Sequence, residues 1–261
     1  MKQWLLYLLA SLPLVCHAQA QRDSLSQTPI NTDRPNQTEA SSVVPFGTLQ
    51  VESGWFRQVD RIDGVRTMDV FYPITLIRLG ILERMELRFQ DEFHKNELKD
   101  ESGPHQTKGL DAFTIGTKIN VTEEKGLLPE IAFLGNLVIP SGSSAFRPAH
   151  VAPEVRLALS HTLSNTFDLG YNVGYEWDGD SPEGTGIYTL SVGAALPHHW
   201  GTYLEVFGDK PEKGHWHHSA DGGFTFSPRN NLQLDVSSGI GLTKDAPDYF
   251  LSAGFTFRLP K

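Results

Sequence analysis

Met85-Glu86-Leu87-Arg88-Phe89-Gln90-Asp91-Glu92-Phe93 is the stretch whose reading decides the fold. Alternate residues of an extended strand face opposite ways, which puts Met85, Leu87, Phe89 and Phe93 on one side and Glu86, Arg88, Gln90 and Glu92 on the other. One side suits oil and the other water. From Gly47 to the end of the chain the pattern recurs about a dozen times, each time followed by a turn. It predicts strands near 47–60, 65–80, 84–97, 109–122, 128–140, 150–163, 166–178, 184–196, 199–210, 214–227, 231–243 and 248–258. Phe167, Leu169, Tyr171, Val173, Tyr175 and Trp177 form one clean apolar row, and Tyr249, Leu251, Ala253, Phe255 and Phe257 another. Strands two and five are less regular, because Ile74 and Leu134 break the alternation, and Pro73 removes a ladder donor and points to a bulge or a strand end.

A soluble sandwich or small lipocalin-like barrel also alternates, with its apolar row inward. Three features favour the reverse arrangement. The strands are too many for one soluble barrel, and glycines collect in the polar row, where a crowded lumen needs small residues. The connections also alternate in length. Tight ones fall at Gly80-Ile81-Leu82, Leu163-Ser164-Asn165, Pro197-His198 and Ser227-Pro228-Arg229-Asn230, while Lys99 to Lys108, Ser141 to His150 and Asp178 to Gly184 are longer and polar. Short periplasmic turns and long outer loops mark outer-membrane barrels. The first hairpin, turning at Asp63-Gly64, is a short exception. The expected fold is therefore all-β: a single antiparallel transmembrane β-barrel of about twelve strands, occupying residues 47–261. Trp55, Tyr175, Trp177, Trp200, Tyr203, Trp216 and Tyr249, near strand ends, are expected to form interfacial girdles.

The N-terminus agrees on location. Lys2, the apolar run Trp4 to Val15 and the small residues around Ala18 and Ala20 read as a signal peptide over residues 1–20, with the mature chain starting at Gln19 or Gln21. Cys16, the one cysteine, raises lipidation as an alternative; removed with the signal, it leaves no disulfide framework. The net charge of -9 and pI near 5.5 argue against a nucleic-acid surface. Beyond the signal no apolar run approaches the roughly eighteen residues of a membrane helix. A mean hydropathy of -0.28 does not exclude a membrane barrel, whose lumen residues dilute the average. Expected surroundings are outer-membrane lipid, the barrel-assembly machinery for insertion and a small-molecule solute, with no nucleic acid; oligomeric state is left open.

The segment Thr32-Asp33-Arg34-Pro35-Asn36-Gln37-Thr38-Glu39, with Val44-Pro45-Phe46-Gly47 and Gln50-Val51-Glu52-Ser53-Gly54, resembles the opening of the transporter family named for the meta-pathway of phenol degradation. Leu76-Ile77-Arg78-Leu79-Gly80-Ile81 with Arg84-Met85-Glu86-Leu87-Arg88, Gly116-Thr117-Lys118 before Glu123-Glu124-Lys125-Gly126, and Pro140-Ser141-Gly142 with Pro153-Glu154-Val155-Arg156 extend the likeness over nearly the whole mature chain. The resemblance implies an outer-membrane barrel with a transport role, and its name does not make phenol the ligand. Asn36 stands where an aspartate is common in such openings, which removes one charge.

Twelve strands spaced ~4.8 Å and tilted about 40° close at roughly 24 Å, leaving an opening on the order of 10 Å once side chains are subtracted. Small organic, even aromatic, solutes fit such a path by passive or facilitated diffusion. The wall charges expected along it are Glu52, Glu86, Arg88, Glu92, Lys118, Arg156, Glu176, Asp235 and Arg258, with Glu154 and Glu205 in the same row. Such charges bias solute choice, or pair across the lumen and close it. The polar segment 21–46 is either a lumen plug, with Asp33, Arg34 and Glu39 pairing with wall charges, or a periplasmic lead-in.

No cofactor, metal or catalytic residue is assigned. His215, His217 and His218, with His198 and His199, form a histidine-rich patch, but alternation sends His217 and His218 opposite ways. Asp178-Gly179-Asp180-Ser181-Pro182-Glu183 lacks EF-hand spacing and reads as a solvated loop. A barrel lipid hydrolase is a weaker alternative: Ser160 and His161 are adjacent and face apart, and no Gly-x-Ser-x-Gly elbow occurs. A non-conducting anchor or interaction barrel is the other alternative.

Overall fold

A computed structural model of the protein describes residues 29–62 and 64–260. The expected signal peptide, Cys16, the start of segment 21–46 and Asp63 lie outside the described residues. Strands β1 (Leu49–Ile62), β2 (Val65–Leu82), β3 (Met85–Asp100), β4 (Gly103–Leu110), β5 (Thr114–Thr122), β6 (Glu130–Val138), β7 (Ala152–Thr162), β8 (Phe167–Trp177), β9 (Gly184–Leu196), β10 (Trp200–Pro211), β11 (His217–Arg229), β12 (Leu232–Gly241) and β13 (Tyr249–Leu259) form one antiparallel sheet. The sheet closes where β1 pairs with β13, from Leu49 opposite Leu259 to Val59 opposite Tyr249.

Thirteen segments make twelve staves, because β4 and β5 share one partner. β5 lies along the first part of β3, Met85 opposite Ile119 to Gln90 opposite Thr114, and β4 along the rest, Phe93 opposite Leu110 to Asp100 opposite Gly103. The single strand expected over 109–122 is therefore broken at residues 111–113, where Asp111 N–H donates to Glu92 O (2.9 Å) and Phe113 N–H to Ser141 Oγ (3.0 Å). The long polar loop expected from Lys99 to Lys108 is instead the β3–β4 hairpin. Both faces of β4 are largely exposed, so its sequence carries no apolar row from which a strand could be read. Two turns also shift slightly: β2 runs through Gly80 and Leu82 to turn at 83–84, and β11 runs through Arg229 to turn at 230–231.

The barrel is inside out relative to a soluble one. On β10, Leu204 is 74% exposed and its neighbour Glu205 only 3%. Val121, Phe133, Leu157, Phe167, Val173, Phe224 and Val236 share the outer face, while Gln50, Glu52, Arg78, Glu86, Lys118, Asn172 and Thr256 are fully buried inside. Burying such an outer row gains roughly 25 cal/mol per Å² of apolar surface, which water denies it and lipid supplies. At Pro73 the register slips as the sequence suggests, between Phe71 and Ile74 against β3 and between Gly54 and Phe56 against β1. Leu134 breaks its row because it faces inward, 1% exposed among polar neighbours.

Candidate functional site

Four adjacent staves bring their inward charges together near the end of the barrel that carries most of the short turns. Glu52 comes from β1, Arg78 from β2, Glu86 and Arg88 from β3, and Lys118 from β5; in the ladders Arg78 stands opposite Arg88, and Glu86 opposite Lys118. Arg78 is the hub, with Nη1 2.8 Å from Glu52, Nε 2.8 Å from Glu86 and Nη1 3.1 Å from Asp33. This wall group alone holds three cations against two carboxylates. The coil that precedes β1 brings two more carboxylates to it. Asp33 lies 2.6 Å from Arg88 and 2.8 Å from Lys118, and Glu39 lies 2.9 Å from Arg88 and 3.3 Å from Lys118. Charges this deeply buried persist only when paired and hydrogen-bonded.

The coil makes no strand ladder, so its backbone donors must find other partners. Wall side chains supply them: Asp33 N–H donates to Glu52 (3.1 Å), Gln37 and Thr38 N–H to Glu205 (2.7 and 2.8 Å), Glu39 N–H to Asn172 Oδ1 (2.7 Å) and Val44 N–H to Glu86 (2.7 Å). The Thr38 hydroxyl also donates to Glu205, and the Ser41 hydroxyl to Glu130. Arg34 reaches past β1 to the adjoining β12 and β13, where Nη2 bonds Asp235 (2.8 Å) and Ser252 (3.0 Å). Glycines make that approach possible. A Cβ on Gly54 would fall 2.6 Å from the guanidinium, and one on Gly254 2.4 Å from it. The described part of the N-terminal segment thus runs inside the barrel, tied by Asp33 and Glu39 to β2, β3 and β5 and by Arg34 to β12 and β13.

Of the wall residues expected from the sequence, Glu52, Glu86, Arg88 and Lys118 converge on this cluster and Asp235 holds Arg34. Arg156 pairs with Glu154 (2.8 Å) and donates to Gln37 O (3.2 Å). Arg258 donates to Pro29 O (3.5 Å) at the rim of the same end. Glu92 and Glu176 lie further toward the long-loop end, away from the cluster. Arg78 is the residue missed by sequence reasoning: the bulge at Pro73 hides the alternation of β2, although an arginine between Ile77 and Leu79 carries the inward phase on its own.

Other candidates separate. Tyr203 belongs to no girdle; it is 7% exposed and its hydroxyl donates to Asp221 (2.8 Å) in the lumen. The histidine-rich patch is two places: His198 and His199 form the β9–β10 turn at the short-turn end, whereas His217 and His218 start β11 at the other end. There His217 meets Asp209 (2.9 Å) and His218 meets the Tyr188 hydroxyl (2.7 Å). In the 178–183 loop, N–H groups of Ser181 and Asp180 hold the Asp178 carboxyl below its usual range, and Asp180 accepts from Ala149 N–H (2.8 Å). Those oxygens serve this loop and its contact with the 139–151 loop. Ser160 Oγ meets Ser41 (2.7 Å), while His161 meets the Tyr171 hydroxyl (3.3 Å).

The coil does not fill the lumen. Cavities remain on either side of it, one of 420 Å³ bordered by Asn36, Arg88, Glu92 and Arg156, another of 530 Å³ bordered by Arg34, Asp168, Trp200 and Gln233. The geometry is that of a polar, water-accessible interior narrowed by a charged insert.

Known proteins share this architecture. The family described as "Putative MetA-pathway of phenol degradation" matches residues 32–259. Among solved structures, the COG4313 outer membrane channel from Pseudomonas putida F1 superposes with a TM-score of 0.66 at 10% identity, over 88% of this chain and 100% of that one. The translocator domain of the autotransporter NalP from Neisseria meningitidis gives 0.57 at 10% identity, over 94% and 96%. The KdgM porin gives 0.51 at 9%, over 79% and 98%. At such identities the likeness is one of fold, and the solved structures named are channel, porin and translocator barrels rather than enzymes. No curated protein matches the chain in sequence.

Proposed function

Because the chain belongs to the family of the MetA-pathway of phenol degradation, we propose that it serves as an outer-membrane channel for small solutes, working by passive or facilitated diffusion. One observation carries the reading: the wall charges are neutralised only in part by each other and otherwise by a separate coil, and cavities remain beside that coil. A barrel that was only an anchor would gain most from a tightly packed interior. Delivery by a cleaved signal peptide over residues 1–20 and insertion by the barrel-assembly machinery, with lipid against the apolar face, belong to the same reading. So does the role of residues 21–46 as a plug that sets the width of the path, with Glu92, Arg156 and Glu176 lining what stays open.

Liposome swelling with solutes of graded size tests it. A channel admits small solutes and excludes large ones, whereas a closed anchor admits none, and swelling at no size removes the proposal. Deleting residues 21–40 should raise single-channel conductance; unchanged conductance sinks the plug while leaving the channel standing.

A further inference from the structure

Toward the long-loop end, above the charged coil, rings face the lumen where polar side chains would be expected. Phe207, Phe250, Phe56, Phe71, His94 and Phe146 follow one another with centroids 6.1, 5.3, 6.1, 4.1 and 4.1 Å apart. The row runs from β10 past β13, β1, β2 and β3 to the 139–151 loop. Gly239 makes room for it, since a Cβ there would sit 2.2 Å from the Phe250 ring. His94 is tied to Asp69 (2.8 Å) and Asp111 (3.3 Å), but the phenylalanine rings leave apolar surface in a wet compartment, which is unfavourable unless something covers it. At the foot of the row lies a cavity of 310 Å³, walled by Phe56, Phe71, Ile74 and Leu76 and edged by Gln90 and Glu92.

The carboxylates around this cavity differ. Asp33, Glu39 and Glu52 are each bound to Arg78, Arg88 or Lys118. The Glu92 carboxylate makes no hydrogen bond or ion pair with any described residue. Arg34, which borders the cavity, is held by Asp235 and Ser252. A sheltered carboxylate with no hydrogen-bonding partner, with Asp91 and Asp111 nearby and the neighbouring His94 engaged by Asp69 and Asp111, favours a cation, and ring faces beside it add quadrupole attraction for an ammonium group. Deepening the channel reading, on which it rests, we propose that this cavity binds a small organic cation, an ammonium group on an apolar or aromatic frame, with Glu92 as counter-ion and Phe56 and Phe71 as walls.

Equilibrium dialysis of benzyltrimethylammonium against the purified full chain in detergent tests this without requiring conduction. The expected result is saturable binding, about tenfold tighter than that of neutral benzyl alcohol or anionic benzoate, weakened about tenfold by Glu92→Gln and about threefold by Phe71→Leu. Heat-modifiable gel mobility separates folded variants from unfolded ones; should Glu92→Gln not fold, the Phe71 variant and the comparison of the three probes still decide. Benzyl alcohol or benzoate binding as tightly as the cation, or a folded Glu92→Gln protein that binds it undiminished, overturns the proposal. No binding with swelling intact removes the cation site alone, whereas binding without swelling removes the channel.

Discussion

Asp33 Oδ2 lies 2.6 Å from Nη1 of Arg88, joining a residue of the N-terminal coil to one on the wall strand whose alternation first indicated the fold. The same carboxylate reaches Arg78 and Lys118, so one side chain answers three cations from three staves.

Asp33→Asn removes that charge while keeping its shape. Arg78, Arg88 and Lys118 then face Glu39, Glu52 and Glu86 alone, and breaking a buried pair of this kind costs about 3–5 kcal/mol. The barrel should lose its heat-resistant gel mobility at lower temperature, and the coil should become accessible to added protease. Unchanged values for both measurements would show that the coil is held elsewhere.

Arg34 and Asp235 should behave as a unit. Arg34→Ala and Asp235→Asn are each expected to free the coil from β12 and β13, and the double variant should cost less than the two singles summed, with a coupling of about 1–3 kcal/mol. A double-mutant cycle in urea with the barrel in detergent measures it, and strict additivity would dissolve the pairing.

Gly254→Val tests the same contact sterically, since a Cβ there already reaches within 2.4 Å of the guanidinium. Displacement of the coil should raise single-channel conductance, as deletion of the segment should. The Ala253→Val variant, one position along on the outer face, should leave conductance alone.

Leu204 and Glu205 are adjacent and face opposite media. Leu204→Arg puts a charge against lipid at about 2–4 kcal/mol if it lies near the midplane, so folding yield into vesicles should fall. Glu205→Gln should insert normally and instead loosen Gln37 and Thr38, which donate to it. A swapped pattern would reverse the assignment of the two faces.

Where one face meets lipid and the other water, the sequence states its strands almost to the residue: the row expected over 166–178 is β8, Phe167–Trp177. Legibility fails where that contrast disappears. β4 is wetted on both faces, so its hairpin reads as a loop. Arg78 is obscured by the Pro73 bulge, and Tyr203, Phe56, Phe71, Phe207 and Phe250 are apolar or aromatic residues that face inward, against the rule that such rings belong to lipid. The charged cluster was readable in its wall members and in the candidacy of Asp33, Arg34 and Glu39. Their convergence was not, because it depends on where a coil without periodicity runs in three dimensions.

The seam between β1 and β13 has a consequence for assembly. The coil enters ahead of β1 and holds Asp235 and Ser252 on β12 and β13, the last strands to be made. Once that final ladder zips up, the cylinder has no side through which a charged coil could slip. Either the coil is already waiting when the last hairpin arrives, with Arg34 drawing that hairpin in, or it must later thread through an end. In the first case the insert is a template for closure as well as an occupant, and trimming it would slow the last stage of maturation.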